Sequence, residues 1–108
     1  MQDYTALMQR LGYTFQQPAY LDQALTHRSF SRNHNERFEF LGDALLSTMI
    51  ASALFTQRPE AREGDLSRMR SQLVNGVALA ELARELSLPA WLRLGAGEQH
   101  SGGRERDS

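Results

Sequence analysis

The sequence contains no cysteine and no lysine, and no run of apolar residues approaches the roughly 20 that a membrane helix needs. The first absence excludes a disulfide framework and thiolate zinc sites. It leaves carboxylates and three histidines as the strong metal ligands, so any metal is expected to be oxygen-bound. The second leaves all 12 basic residues as arginine, which suits forked phosphate contacts and equally a plain coding bias. The third points to a cytoplasmic chain with no membrane partner, since Met1–Tyr4 also lacks the basic start and apolar stretch of a secretion signal. A net charge of -1 supplies no general field for a polyanion, which counts mildly against a nucleic-acid binder.

What is present fits one folded domain. With 41% hydrophobic and 23% charged residues the chain belongs to the soluble globular class, and 108 residues bury a modest core without room for a second ordinary module. Tyr4, Leu7, Met8 and Leu11 recur at helical spacing and stop at Gly12, a C-terminal glycine signal. Pro18 opens a second helix carrying Leu21, Ala24 and Leu25, and 29–35 reads as a polar loop. From Glu36 a helix runs with Phe38, Leu41, Leu45, Thr48 and Ser52 on one face and Phe40, Ala44, Leu46, Ile50, Ala53 and Leu54 over much of the rest. A helix so apolar is expected at the centre of the fold, and Arg58-Pro59 ends it. Asp65 is read as the N-cap of a helix holding Leu66, Met69, Leu73 and Val74, and Asn75 as the cap of another closed by Pro89. Trp91 and the leucines and methionines read as core, and 95–108 as loop or polar tail. No strand alternation or repeat is visible, so the fold class is all-α.

Glu36, Glu39 and Asp43 stand at i, i+3 and i+7, which lines them along one side of that apolar helix. Carboxylates there are costly unless a cation meets them. Two explanations are open at this point: Arg28, Arg32 or Arg37 supplies the counter-charge, or the stripe faces water; alternatively Glu39 and Asp43 bind Mg²⁺, a hard cation held by one or two carboxylates plus water and phosphate. Asn35 is placed to cap the helix at Glu36 and His27 to order its loop rather than catalyse, while Arg68 and Arg70 read as solvated helix arginines ahead of phosphate contacts. Gly95 and Gly97 lack the strand-turn-helix setting of a nucleotide loop.

The run His34-Asn35-Glu36-Arg37-Phe38-Glu39-Phe40-Leu41-Gly42-Asp43-Ala44-Leu45-Leu46 resembles the ribonuclease III signature almost position for position. Leu11-Gly12-Tyr13-Thr14-Phe15, Leu25-Thr26-His27-Arg28-Ser29, Glu63-Gly64-Asp65-Leu66-Ser67-Arg68-Met69-Arg70, and Leu94-Gly95 with Ser101-Gly102-Gly103-Arg104 agree in order and spacing. The likeness covers nearly the whole chain and follows the bacterial single-domain type. It implies an incomplete ribonuclease III endonuclease-like helical bundle, 1–108 being the N-terminal portion of the catalytic domain, with no double-stranded-RNA-binding domain. It further implies Glu39 and Asp43 as metal ligands for Mg²⁺, with Mn²⁺ able to substitute, and Glu36 as a third catalytic acid in the same cleft. Glu63 resembles a cleft-edge acid, although a carboxylate starting a helix accounts for it as well. Phe40 reads as an ordinary core aromatic, and it also resembles the aromatic that enters a second subunit, giving a homodimer with two cutting sites for a duplex.

The activity implied is endonucleolytic hydrolysis of double-stranded RNA, not DNA, by an activated water attacking in line and leaving a 5′ phosphate. Ribosomal and messenger RNA precursors are the substrates that the family implies. Family members complete the site with an Asp and a Glu on a later helix, so the 108 residues alone are expected to be nearly inactive. The competing readings are a non-catalytic dimerising or RNA-binding module of the same fold and a helical scaffold with a solvated acid face. A ferritin-like or His-Asp phosphohydrolase protein fits poorly, because neither Glu-x-x-His nor a His-Asp pair occurs.

Overall fold

A computed structural model describes residues 2–107 and builds them from six α-helices and two 3₁₀ turns. Among the described residues there is no strand; an isolated parallel bridge joins Thr26 to Arg93, so the all-α expectation holds. Helix α1 (Thr5–Leu11) stops where Gly12 takes φ 70, and the Tyr13 N–H reaches back to Met8 O at 3.1 Å. Only glycine adopts that left-handed conformation without strain. Helix α2 (Pro18–Ala24) opens on its proline, which loses nothing by lacking an N–H in the first turn.

These two short helices make the densest core. Tyr4, Leu7, Leu21 and Leu25 are buried together, and Met8, Leu11, Phe15, Leu88, Trp91 and Leu92 close over them. The Tyr4 and Trp91 ring centroids lie 5.7 Å apart. The backbone after α2 is then clipped to the segment around Arg93: Arg93 N donates to Leu25 O at 2.8 Å and His27 N to Arg93 O at 3.0 Å.

Helix α3 (Glu36–Gln57) runs 22 residues and stops before Pro59, as the sequence predicts, with α4 (Glu63–Leu73) folding back along it. Two expectations for α3 fail. It is not central: Leu54 is its one buried residue, while Met49 and Phe55 are 67% and 76% exposed. It is also long and apolar enough, by length and composition, to cross a membrane. The reason is that its charges gather in the first turns at Glu36, Arg37, Glu39 and Asp43, leaving Ala44 to Gln57 uncharged. Its later hydroxyls are spent on the helix itself, Thr48 Oγ1 donating to Ala44 O at 3.0 Å and Thr56 Oγ1 to Ser52 O at 3.1 Å. A core helix of a bundle shares both properties. The arm that α3 and α4 form stretches the molecule to 49 × 32 × 24 Å. The radius of gyration is 15.9 Å, against about 13 Å for a compact domain of this size.

Two end assignments also change and one holds. Helix α4 begins at Glu63 with Arg62 in the capping position, so Asp65 is not the cap; it sits in the first turn and meets Arg68 at 3.0 Å. Asn75 does cap α5 (Gly76–Glu85), its Oδ1 accepting from Ala78 N at 2.8 Å. That helix ends at Glu85, before a left-handed Ser87, and Pro89 falls inside a 3₁₀ turn (Leu88–Trp91) instead of closing the helix. The leucines and methionines are not uniformly core, since Leu41, Leu45, Met49, Leu73 and Leu82 are exposed.

The stretch expected as a loop or tail is structured. It holds α6 (Ala96–His100) and a 3₁₀ turn (Gly103–Glu105). Arg104 Nη1 fastens it to Pro89 O at 2.8 Å and Leu92 O at 2.6 Å, carbonyls that no periodicity in the sequence reveals. Gly95 is required by contact: a Cβ there would meet Ser29 O at 2.5 Å, and the Gly95 N–H donates to Ser29 Oγ at 2.9 Å.

Candidate functional site: an acidic cleft on helix α3

Helix α3 starts where three hydrogen bonds pin it to the end of α2. Asn35 N donates to Thr26 O at 3.0 Å, Asn35 Nδ2 to Ala24 O at 3.0 Å, and Gln23 Nε2 to His34 O at 3.1 Å. Asn35 occupies the N-cap position but its side chain does not cap; it is spent on the α2 carbonyl instead. His27 orders its turn as expected, its Nδ1 accepting from the Ser29 N–H at 3.1 Å.

The first two turns beyond this clip carry the acid stripe. Glu36, Glu39 and Asp43 all line one open cavity of about 580 Å³, with Phe40, Gly42, Leu46 and Leu79 as its other walls. All three acids are exposed. Glu36 meets Arg28 at 3.4 Å, so one of the arginines considered from the sequence does supply a counter-charge. Glu39 and Asp43 enter no ion pair among the described residues. Glu63 lies at the start of α4, outside the walls of this cavity. Phe40 is 81% exposed and borders both this cavity and a second one, of about 610 Å³, with Gln23, Arg37, Phe38 and Leu41. It is therefore not a core aromatic in this chain.

A neighbouring cavity of about 500 Å³ shares Glu36 and Glu39 with the first. Its other walls include His27, Arg28, Asn35, Glu98, Gly103 and Arg106. Glu98 and Arg106 went unnoticed in the sequence because their stretch carries no helical periodicity; Arg106 Nη1 donates to Glu98 Oε2 at 2.9 Å. Glu98 is thus an acid of the same cleft brought in from the far end of the chain.

Two unpaired carboxylates one helical turn apart are hard oxygen donors and fit Mg²⁺, whose remaining positions water and phosphate normally fill. Among the described residues no group of three or more His, Asp or Glu converges tightly enough to enclose an ion, so the fit is that of a partial site.

Away from the cleft, Tyr4, Asp22 and Arg93 form a hydrogen-bonded cluster. Tyr4 Oη donates to Asp22 Oδ1 at 2.5 Å, Arg93 pairs with Asp22 Oδ2, and the Arg93 guanidinium sits 4.5 Å above the Phe30 ring. Burial, then the hydrogen bond and charge of Asp22, push the Tyr4 hydroxyl up to about 12. Burial works to raise Asp22, but hydrogen bonds from Tyr4 and Arg93 and the Arg93 charge outweigh it and hold the carboxyl below its ordinary value.

The fold and site define an all-α chain that opens an acid-lined cleft beside an exposed aromatic. The family model described as ribonuclease-III-like matches residues 17–108, and the chain belongs to that family. It is 58% identical over 102 residues to ribonuclease 3 of Hahella chejuensis and 60% identical over 102 residues to that of Proteus mirabilis. Each match covers 94% of this chain and 45% of the relative, so the chain spans about half the length of the curated relatives it matches. The nuclease domain of ribonuclease III from Campylobacter jejuni superposes with a TM-score of 0.93 at 39% identity, over 97% of this chain and 74% of that one. That structure is described as flexible in a region involved in dimer formation.

Proposed function

We propose that the chain is part of a double-stranded-RNA endoribonuclease, in which Glu39 and Asp43 hold Mg²⁺, or Mn²⁺ in its place, and Glu36 acts as the third acid of the cleft. The observation that carries this is the shared cavity: both carboxylates line it, on adjacent turns of one helix, with no cation paired to either among the described residues. Glu39 and Asp43 would hold the divalent ion, which would supply water activation and charge stabilisation for an in-line hydrolysis leaving a 5′ phosphate. The residues of the chain orient and neutralise. Asn35 and Gln23 fix the start of α3, and Arg28 balances Glu36 until the ion arrives.

The partner is duplex RNA read by its A-form shape, phosphates and 2′-hydroxyls, not DNA, with ribosomal and messenger RNA precursors as substrates in the cytoplasm. Exposed Phe40 is the contact of a homodimer, placed beside the cleft so that two copies present two sites to two strands. The acid stripe and the folding back of α4 give α3 a protein neighbour, and no membrane partner is assigned. The 108 residues alone have little or no activity, because two carboxylates leave a two-metal cluster under-neutralised and place a single ion only loosely.

The test is Mn²⁺ binding followed by electron paramagnetic resonance. The chain binds the ion, and Glu39→Gln or Asp43→Asn weakens binding at least tenfold while leaving the melting temperature unchanged, since both side chains are exposed. Equal Mn²⁺ affinity in both variants removes the metal site. Cleavage of long duplex RNA at equal rates by this chain and by one extended to the relatives' length refutes the inactivity. The absence of a three-ligand cluster among the described residues favours a second reading, a non-catalytic dimerising or RNA-binding module. That reading gains if duplex RNA binds while Mn²⁺ does not.

A further inference from the structure

We infer that Arg28 and Arg106 are a pair of phosphate-binding cations held in reserve by the cleft acids, and that binding of a divalent ion releases them to the RNA backbone. The inference rests on the nuclease reading only for the place of the ion at Glu39 and Asp43.

The cavity of about 500 Å³ is lined by two arginines and three glutamates, and it pairs them in a particular way. Arg28 takes Glu36 at 3.4 Å and Arg106 takes Glu98 at 2.9 Å, whereas Glu39, which lines the same cavity, has no cation among the described residues. Both pairs are open to water, with side-chain exposures of 71% and 53% for the first and 48% and 31% for the second. Exposed pairs of this kind are worth roughly 0–1 kcal/mol, so each arginine exchanges its partner at little cost.

A divalent ion beside Glu39 attracts the neighbouring carboxylates more strongly than a single guanidinium does, because its charge is double and compact. Glu36 and Glu98 then turn towards the ion, and two forked, permanently charged donors are left facing the same opening. A guanidinium fork matches a phosphate in geometry as well as charge. The arrangement also answers the low net charge of -1, which gives no standing field for a polyanion. The cations that matter are local, and they are masked until the ion is in place. Metal and phosphodiester therefore bind with positive coupling.

The test measures two affinities on the 108-residue chain: Mn²⁺ by electron paramagnetic resonance, and a short, fully paired, dye-labelled RNA duplex by fluorescence anisotropy, with and without Mg²⁺, across a salt series. Arg28→Gln and Arg106→Gln each tighten Mn²⁺ binding about two- to fivefold, the equivalent of one surface pair. Each also weakens duplex binding in Mg²⁺ severalfold and lowers the slope of log affinity against log salt by about one. Arg28→Lys keeps the slope, and Arg68→Gln, which removes an equally exposed pair outside the cavity, changes neither affinity.

An unchanged salt slope in both Gln variants overturns the proposal. Weaker Mn²⁺ binding in them also overturns it, since that makes the arginines supports of the acids rather than competitors for them. If the unmodified chain binds no Mn²⁺, the metal reading fails separately, and a Mg²⁺-independent duplex affinity then sinks the coupling as well.

Discussion

The chain divides into two regions that treat apolar surface in opposite ways. Around α1 and α2, the residues Tyr4, Leu7, Leu21 and Leu25 disappear behind Trp91 and Leu92, and the backbone is clipped at Thr26 and Arg93. Along the arm formed by α3 and α4, apolar residues are more numerous, yet Leu41, Leu45, Met49, Phe55 and Leu73 stand in water. The first region supplies neither Glu39 nor Asp43, only Leu92 to the wall of the neighbouring cavity. The second carries Glu39 and Asp43, the unpaired acids. Stability and chemistry are therefore housed apart, and the acids gain precision through the hydrogen bonds of Asn35 and Gln23 that join the two regions.

The contrast can be broken most directly by paired truncations. Leu7→Ala in the buried region is expected to cost about 2–5 kcal/mol, whereas Met49→Ala on the arm should stay within roughly 0.5 kcal/mol. Urea titrations of both variants check this. A large loss for Met49→Ala means that the arm is covered in solution, by another copy of the chain, and the contrast dissolves.

A smaller effect is expected at the polar edge of the buried region. Asp22→Asn removes the charge that Tyr4 and Arg93 share and should cost about 1.5–3 kcal/mol at neutral pH. In the parent chain, the depressed carboxyl makes this contribution present above the ordinary aspartate range and lost as pH falls below it. Acid titration of both proteins should accordingly converge.

The smallest effect lies at high pH. Because the Tyr4 hydroxyl is raised to about 12, its stabilisation is complete below pH 10, where a free tyrosine starts to ionise, and is lost as pH climbs towards 12. Tyr4→Phe should flatten that part of the stability curve and leave Glu39 and Asp43 untouched. An identical alkaline slope in the two proteins would show that the tyrosine does not titrate with the fold.

Much of this division was legible in the sequence. Helical periodicity located α1, α2 and α3 closely, Gly12 and Pro18 marked their ends, and the spacing of Glu36, Glu39 and Asp43 put the acids on one side of α3. The misjudged features depend on contacts between distant segments. An apolar helix reads as central because sequence reports hydrophobicity and not what covers it, so periodicity alone does not give the exposure of Met49 and Phe55, which only the likeness to longer bundles made expected. The structured stretch after Leu94 depends on Arg104 reaching carbonyls at Pro89 and Leu92, and Asn35 prefers a carbonyl on α2 to the cap that its position offers. Glu98 enters the cleft by the same long-range route.

Since α3 is fastened at Asn35 and projects from there, it behaves as a lever with its fulcrum beside the acids. At 1.5 Å per residue, Glu39 lies about 6 Å from that fulcrum and Gln57 about 33 Å, so a tilt moves Glu39 only about a fifth as far as the tip. Asp43, about 12 Å out, moves about a third as far, so the two proposed ligands feel any tilt of the rod unequally and the clip at Asn35 sets how closely they stay matched.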